Sequence, residues 1–227
     1  MTPTQALSLA ALATLILYVV PGGRVLGRPL LLLATLAHEL GHGLTAMLAG
    51  GSFKRLALWG SGAGVAMHQG NYSRLGRAAV AAGGPLGPPL LALLLFWAAR
   101  DAHAAHLALA ILGGVLLLVA VVWVRNLFGV LFVLALAGAV GALAWFADDV
   151  AAQIACAFLA IQMALSVFAR ADYLFRASAR TNAGVLPSDT AQIAAALWLP
   201  HWFWGGLIAI ASLAVLGFGL WLFAQSA

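Results

Sequence analysis

An all-α polytopic membrane protein of about six to seven transmembrane helices, with a membrane-associated β-hairpin after the second span, is the fold class this sequence predicts. Three observations predict it. Apolar residues make up 64% of the 227 and charged residues only 7%, a balance foreign to soluble globular domains. The apolar residues gather into uncharged runs close to the roughly 20 residues that a helix needs to cross a bilayer. Between the second and third runs lies a stretch, Ser52 to Arg77, that is too polar and too rich in glycine to cross.

The first run, Ala6 to Val20, stops at Pro21-Gly22-Gly23. No basic segment precedes it and no small-residue cleavage site follows, so it reads as a retained span and not as a signal peptide. The second, Leu30 to Leu48, is apolar except for His38, Glu39 and His42. In the non-crossing stretch, Leu56 to His68 has strand-forming residues around a glycine cluster and predicts a hairpin. Non-helical backbone at membrane depth survives only where protein or a wet cavity shields it, which suits a strand lying over a site.

The third run, Ala78 to Ala99, opens with Ala82-Gly83-Gly84-Pro85, small residues that let helices approach closely. The fourth covers Leu107 to Val124, the fifth Leu127 to Phe146, and the sixth Val150 to Phe168, with a helical continuation expected towards Arg180. Thr181 to Asp189 reads as a turn or loop. Trp198, Trp202 and Trp204 then mark an interfacial belt before the last run, Trp204 to Phe223. Residues 1–227 read as a single domain.

The formal charge of +5 does not indicate nucleic acid, because the basic residues are scattered between spans instead of forming a stripe. They fit an orientation. With the amino terminus inside, Lys54, Arg55, Arg74, Arg77, Arg125, Arg170, Arg176 and Arg180 lie on the cytoplasmic side, against Arg24, Arg28 and Arg100 outside. Cys156 is the lone cysteine and permits no internal disulfide.

Three ionisable groups in one span require compensation, since each costs about 2.5–3.5 kcal/mol near mid-membrane on insertion scales. A metal ion provides it. Positions four apart share a helix face, so His38 and His42 aim at one point with Glu39 beside them, the arrangement of a zinc hydrolase with two nitrogen ligands and a general base. A third ligand is needed. Asp101, Asp148 and Asp149 fall at the outer face, which leaves Asp172 as first choice, Asp189 as the alternative and His68 behind both. Asp189 also reads as part of a helix cap with Ser188. Asn126 is a candidate oxyanion stabiliser, and Leu56, Leu58, Gly60, Gly62 and Gly64 form the candidate edge onto which an extended substrate strand would add.

With His38-Glu-Leu-Gly-His42 followed by Gly50-Gly51 and a glycine-rich hairpin, the chain resembles the site-2-protease group of intramembrane zinc metalloproteases. Ser166-Val167 with Asp172, then Ser188-Asp-Thr-Ala-Gln-Ile-Ala194 and Trp204-Gly205, are similar to a shorter, B-type branch. The Leu-Asp-Gly signature of the main family is absent, and Ala169 stands where that branch carries an acid. The resemblance implies Zn²⁺ held by the two histidines, Glu39 as base, and a transmembrane protein as substrate in a lipid bilayer. Compactness and alanine- and leucine-rich usage suggest a bacterial cytoplasmic membrane with the site towards the cytoplasm. Two competing readings are a zinc-binding membrane chaperone or regulator without hydrolysis, and a transporter or channel; no inverted repeat supports the latter.

Overall fold

The computed structural model describes residues 2–168, 171–181 and 184–224. The chain begins with α1 (Pro3–Val19), capped by Thr2 and Gln5, and the one-turn α2 (Gly23–Leu26). The helix α3 (Arg28–Leu48) follows, then the antiparallel hairpin β1 (Ser52–Leu58) and β2 (Gly64–Gln69). Next come α4 (Arg74–Ala98), α5 (Ala102–Val122), α6 (Leu127–Phe146) and α7 (Asp149–Ser166). A short α8 (Ala171–Leu174), a second hairpin of β3 (Ser178–Thr181) and β4 (Gly184–Pro187), α9 (Asp189–Leu197) and α10 (His201–Ala224) complete it.

Among the described residues, six helices (α3 to α7 and α10) are long and apolar enough to span a membrane, and α1 is a shorter apolar helix. The protein is therefore a multi-pass membrane protein. Its outer faces carry large apolar side chains such as Leu131, Trp145, Phe146, Leu213 and Trp221, which water would penalise and lipid does not. Polar groups between the helices find partners across the bundle: Gln162 Nε2 donates to Thr14 Oγ1 at 2.9 Å, joining α7 to α1. Asp101 and Asp148 cap α5 and α7, each accepting a main-chain N–H at 2.8 Å, which gives both carboxylates a structural task at helix starts.

Helices α3 and α4 meet backbone to backbone. A Cβ on Gly41 would lie 2.7 Å from the carbonyl carbon of Gly83, and one on Gly83 would lie 2.6 Å from the carbonyl oxygen of Gly41. Any larger residue at either place would push the helices apart.

The first hairpin is held on both sides. Thr35 Oγ1 on α3 donates to the Gly62 carbonyl in the turn at 2.9 Å. On the far edge of β1, Leu56 N donates to Trp123 O at 2.7 Å and Arg125 N to Leu56 O at 2.9 Å. The Asn126 amide continues this pairing, accepting from Leu58 N at 3.1 Å and donating to Leu58 O. Phe53 stacks on Trp123, their centroids 5.1 Å apart, over the space left by Gly43. The connection between α5 and α6 thus serves as a third strand.

Two expectations about the C-terminal third fail. The sixth span does not continue as a helix towards Arg180, and Thr181 to Asp189 is not simply a loop. Helix α7 stops at Ser166, and Ser178 to Pro187 pair as a hairpin in the register Ser178↔Pro187 and Arg180↔Val185. Ser188 fastens its base by donating to Arg176 O at 2.6 Å. A polar segment leaving the apolar bundle satisfies its backbone by pairing with itself.

Candidate metal centre

On α3, His38 and His42 stand one turn apart and their rings meet edge to face, with centroids 4.8 Å apart and planes at 83°. Their Nε2 atoms are 3.2 Å from each other. The seat of His42 is built by α4. Its Nδ1–H donates to Val80 O at 2.7 Å, which fixes the tautomer and turns the Nε2 lone pair inward. Gly84 leaves room for the ring: a Cβ there would lie 2.7 Å from Cδ2 and closer still to Cε1 and Nε2.

The third side chain arrives on α9. Ser188 is the N-cap, accepting from Ala191 N at 3.2 Å, and Thr190 Oγ1 donates to Leu174 O at 3.1 Å. Between them Asp189, only 4% exposed, points at the histidines, with Oδ2 3.1 Å from His38 Nε2 and Oδ1 3.4 Å from His42 Nε2. Burial opposes its ionisation, but the two imidazoles outweigh that and hold the carboxyl below the usual carboxylate range. Burial and the nearby Asp189 carboxylate raise the Tyr173 phenol above the ordinary value. At its other end α9 is tied to α4, where Arg74 Nε donates to Ala196 O and the guanidinium lies 3.4 Å from the centroid of the Trp198 ring.

These residues fit a metal. His38, His42 and Asp189 are the group of potential ligands found among the described residues. Ligand atoms about 2.0–2.1 Å from a tetrahedral zinc stand about 3.3–3.4 Å from one another, close to the three separations observed. The lone pair of His42 faces another imidazole nitrogen and a carboxylate, and buried Asp189 Oδ2 has no hydrogen-bond partner. Two imidazole nitrogens and a carboxylate oxygen held this close in a largely dry interior suit a cation between them.

A family model described as Peptidase M50B-like matches residues 8–219. The chain belongs to the Peptidase M50B-like family. Comparison with curated proteins and with solved structures returned no match. Within the matched residues, the His38-Glu39-Leu40-Gly41-His42 run lies on a candidate spanning helix.

The structure distributes the other sequence candidates unevenly. Glu39 is half-buried beside β2, where a Cβ on Gly64 would lie 2.8 Å from its Cγ and 3.2 Å from Oε1. Asp189, the alternative third ligand, stands beside the histidines, whereas the side chain of Asp172, the first choice, lies outside the described residues. His68 is elsewhere, its Nδ1 3.2 Å from the Tyr72 hydroxyl. Its partial shielding and the nearby His42 lower its affinity for a proton. Both ends of the Asn126 amide are engaged by Leu58, which gives this residue a structural task in the sheet.

The expected substrate edge also needs correction. Leu56 and Leu58 spend their outward backbone groups on Trp123, Arg125 and Asn126, while Gly60 and Gly62 belong to the turn. Only Gly64 of that set lies on β2. Strand geometry then defines the open edge. Leu56 pairs with Ala66 and Leu58 with Gly64, and since both leucines bond away from β2, Gly64 and Ala66 bond away from β1. No other strand pairs with that edge among the described residues. Sequence reasoning missed Tyr173 and Val80. A phenol next to the candidate Asp172 was a signal for the first; a backbone carbonyl offers none for the second.

Proposed function

We propose that this member of the Peptidase M50B-like family is a zinc-dependent intramembrane endopeptidase, with His38, His42 and Asp189 as ligands and Glu39 as general base. The observation that carries the reading is the convergence of three ligand atoms, one of them without a hydrogen bond, beside a glutamate and an open strand edge. When bound, Zn²⁺ supplies a Lewis acid and lowers the pKa of water towards neutrality.

The protein supplies the remainder. Val80 O holds the His42 ring in the tautomer that leaves Nε2 free. A Glu39 carboxylate oxygen takes the proton of the attacking water and returns it to the leaving amine nitrogen. A helical substrate protects its own peptide bonds, so the segment must be extended before cleavage. The N–H and C=O groups of Gly64 and Ala66 hold it as an added strand, and the missing side chain at Gly64 lets that strand lie close to Glu39. The buried bundle around α3 and α4 keeps bulk water out.

The distribution of cations supports the site end facing the cytoplasm. Lys54, Arg55, Arg74, Arg77, Arg125 and Arg176 belong to the connections that build the site, and Arg100 to the opposite end. We assign the protein to a bacterial cytoplasmic membrane on that basis and on its compact composition.

The test uses the full chain purified into nanodiscs. One equivalent of zinc is expected in the wild type and in Glu39→Gln, with cleavage of single-span substrates falling about 10²–10⁴-fold in the variant. Asp189→Ala should lose the metal while Asp172→Ala keeps it. Full zinc with undiminished cleavage in Glu39→Gln removes the enzymatic assignment; full zinc in Asp189→Ala removes the ligand assignment.

A further inference from the structure

A cavity of about 450 Å³ opens beside the metal centre, and the mechanism above makes no use of it. It lies between β2, the start of α4 and α9, and is lined by His68, Tyr72, Arg77, Val80, Gln192 and alanines of α9. Two of these lead directly to the site: Val80 is the residue whose carbonyl holds His42, and Gln192 is one turn beyond Asp189. The cavity therefore starts about one helical turn, roughly 5 Å, from the ligands.

Its lining has one fixed charge. Arg77 Nη1 donates to Tyr72 O at 3.2 Å, and among the described residues the ion pairs join histidines to aspartates, leaving no carboxylate against Arg77. The neutral groups beside it are bonded to their own surroundings, His68 to the Tyr72 hydroxyl and Gln192 Nε2 to Pro187 O at 3.5 Å. A guanidinium keeps further donors in a planar fork suited to a carboxylate.

Position identifies the occupant. The open edge of β2 runs from Gly64, against Glu39, to His68 in the cavity wall. At about 3.3 Å per residue, a strand laid along that edge reaches the cavity within about four residues of the bond next to Glu39.

We propose that this cavity is a specificity subsite that takes an aspartate or glutamate side chain of the substrate segment onto Arg77. The inference rests on the endopeptidase reading for its substrate. Because the walls are β2, α4 and α9, which also carry the open strand edge, the seat of His42 and Asp189, a substrate side chain is favoured over a lipid headgroup.

The experiment scans Glu, Gln and Lys through the four positions on each side of the cleavage region of a fluorescent single-span peptide. Binding is measured to the zinc-loaded Glu39→Gln full chain in phosphatidylcholine nanodiscs, and cleavage by the wild type in parallel. At one position Glu should bind at least about tenfold more tightly than Gln, as expected of a charge-assisted hydrogen bond. Arg77→Gln should erase that preference and Arg77→Glu should reverse it towards Lys, with zinc stoichiometry unchanged in both.

Equal binding of Glu and Gln peptides at all positions overturns the proposal, as does a preference that survives Arg77→Glu. So does a loss in Arg77→Gln that is equal for every peptide and appears only when the measurement is repeated in nanodiscs containing phosphatidylglycerol, which would make the cavity a headgroup site. Failure of the wild type to cleave any peptide while the binding preference persists refutes the endopeptidase reading and leaves the subsite intact.

Discussion

Gly84→Ala tests the metal centre through packing alone, without touching a ligand. The added methyl would stand 2.7 Å from His42 Cδ2 and nearer still to Nε2, whereas ordinary contact begins near 3.4 Å. Relief requires the ring to retreat by about 1 Å or α3 to separate from α4, while metal–ligand distances tolerate only about 0.2 Å. The second route forfeits the close backbone packing of Gly41 against Gly83, and either route displaces His42 from its seat on α4. Disturbing the support of a ligand costs about 10–100-fold in metal affinity, and misplacing a catalytic group by about 1 Å costs about 100-fold in rate. The assay is competition for zinc against a chromophoric chelator, with cleavage of a single-span substrate alongside. Gly138→Ala on α6 is the control, since nothing lies within 4 Å of the added carbon and alanine favours the helix by about 1 kcal/mol. Native zinc affinity in Gly84→Ala, with the fold intact by circular dichroism, would refute the placement of His42 as a ligand seated on α4.

Three further outcomes follow from the hairpin. Ala66→Pro removes an N–H from the open edge of β2 and should reduce substrate binding about tenfold or more with zinc retained, whereas Val65→Pro, whose N–H pairs with β1, should unfold the hairpin; unchanged binding in Ala66→Pro would disprove strand addition. Asn126→Ala should cost about 1–3 kcal/mol in thermal unfolding and speed amide exchange at Leu56 and Leu58, and a loss of cleavage with unaltered stability would restore a catalytic role for that amide. For His68, whose affinity for protons is lowered in the fold, the unfolded chain takes up the proton first as pH drops below about 6.5. Stability should therefore fall with pH from there through the folded-state value, and His68→Gln should flatten that part of the denaturation-versus-pH curve; an unchanged slope would show that another group is responsible.

The spans were legible because the bilayer sets their length, and Leu127 to Phe146 agrees with the structure at both ends. His38, Glu39 and His42 were legible because helical spacing is a local property. The position of Asp189 was not. It depends on where α7 ends and on a hairpin that folds back after it, and neither leaves a periodic trace in a polar stretch of a few residues. Extending the sixth helix to Arg180 made Asp172 the natural partner. The task of Asn126 was hidden for a related reason: its partner, Leu58, lies on another element, and one amide side chain that completes a sheet reads the same in sequence as one that awaits a substrate. The hairpin itself could be read from Leu56 to His68, but which of its edges is free depends on Trp123 to Arg125, far along the chain.

The arrival of Asp189 on α9 has a consequence for biosynthesis. The two imidazoles enter the bilayer early in translation, while the carboxylate that completes their cage is made only after five of the six long spans have been synthesised. A nascent or truncated chain that stops before α9 carries the histidines and the glutamate without their acidic counterpart. Under the proposed function, hydrolytic competence would appear only near the end of insertion, and neighbouring membrane proteins would be spared a half-built enzyme.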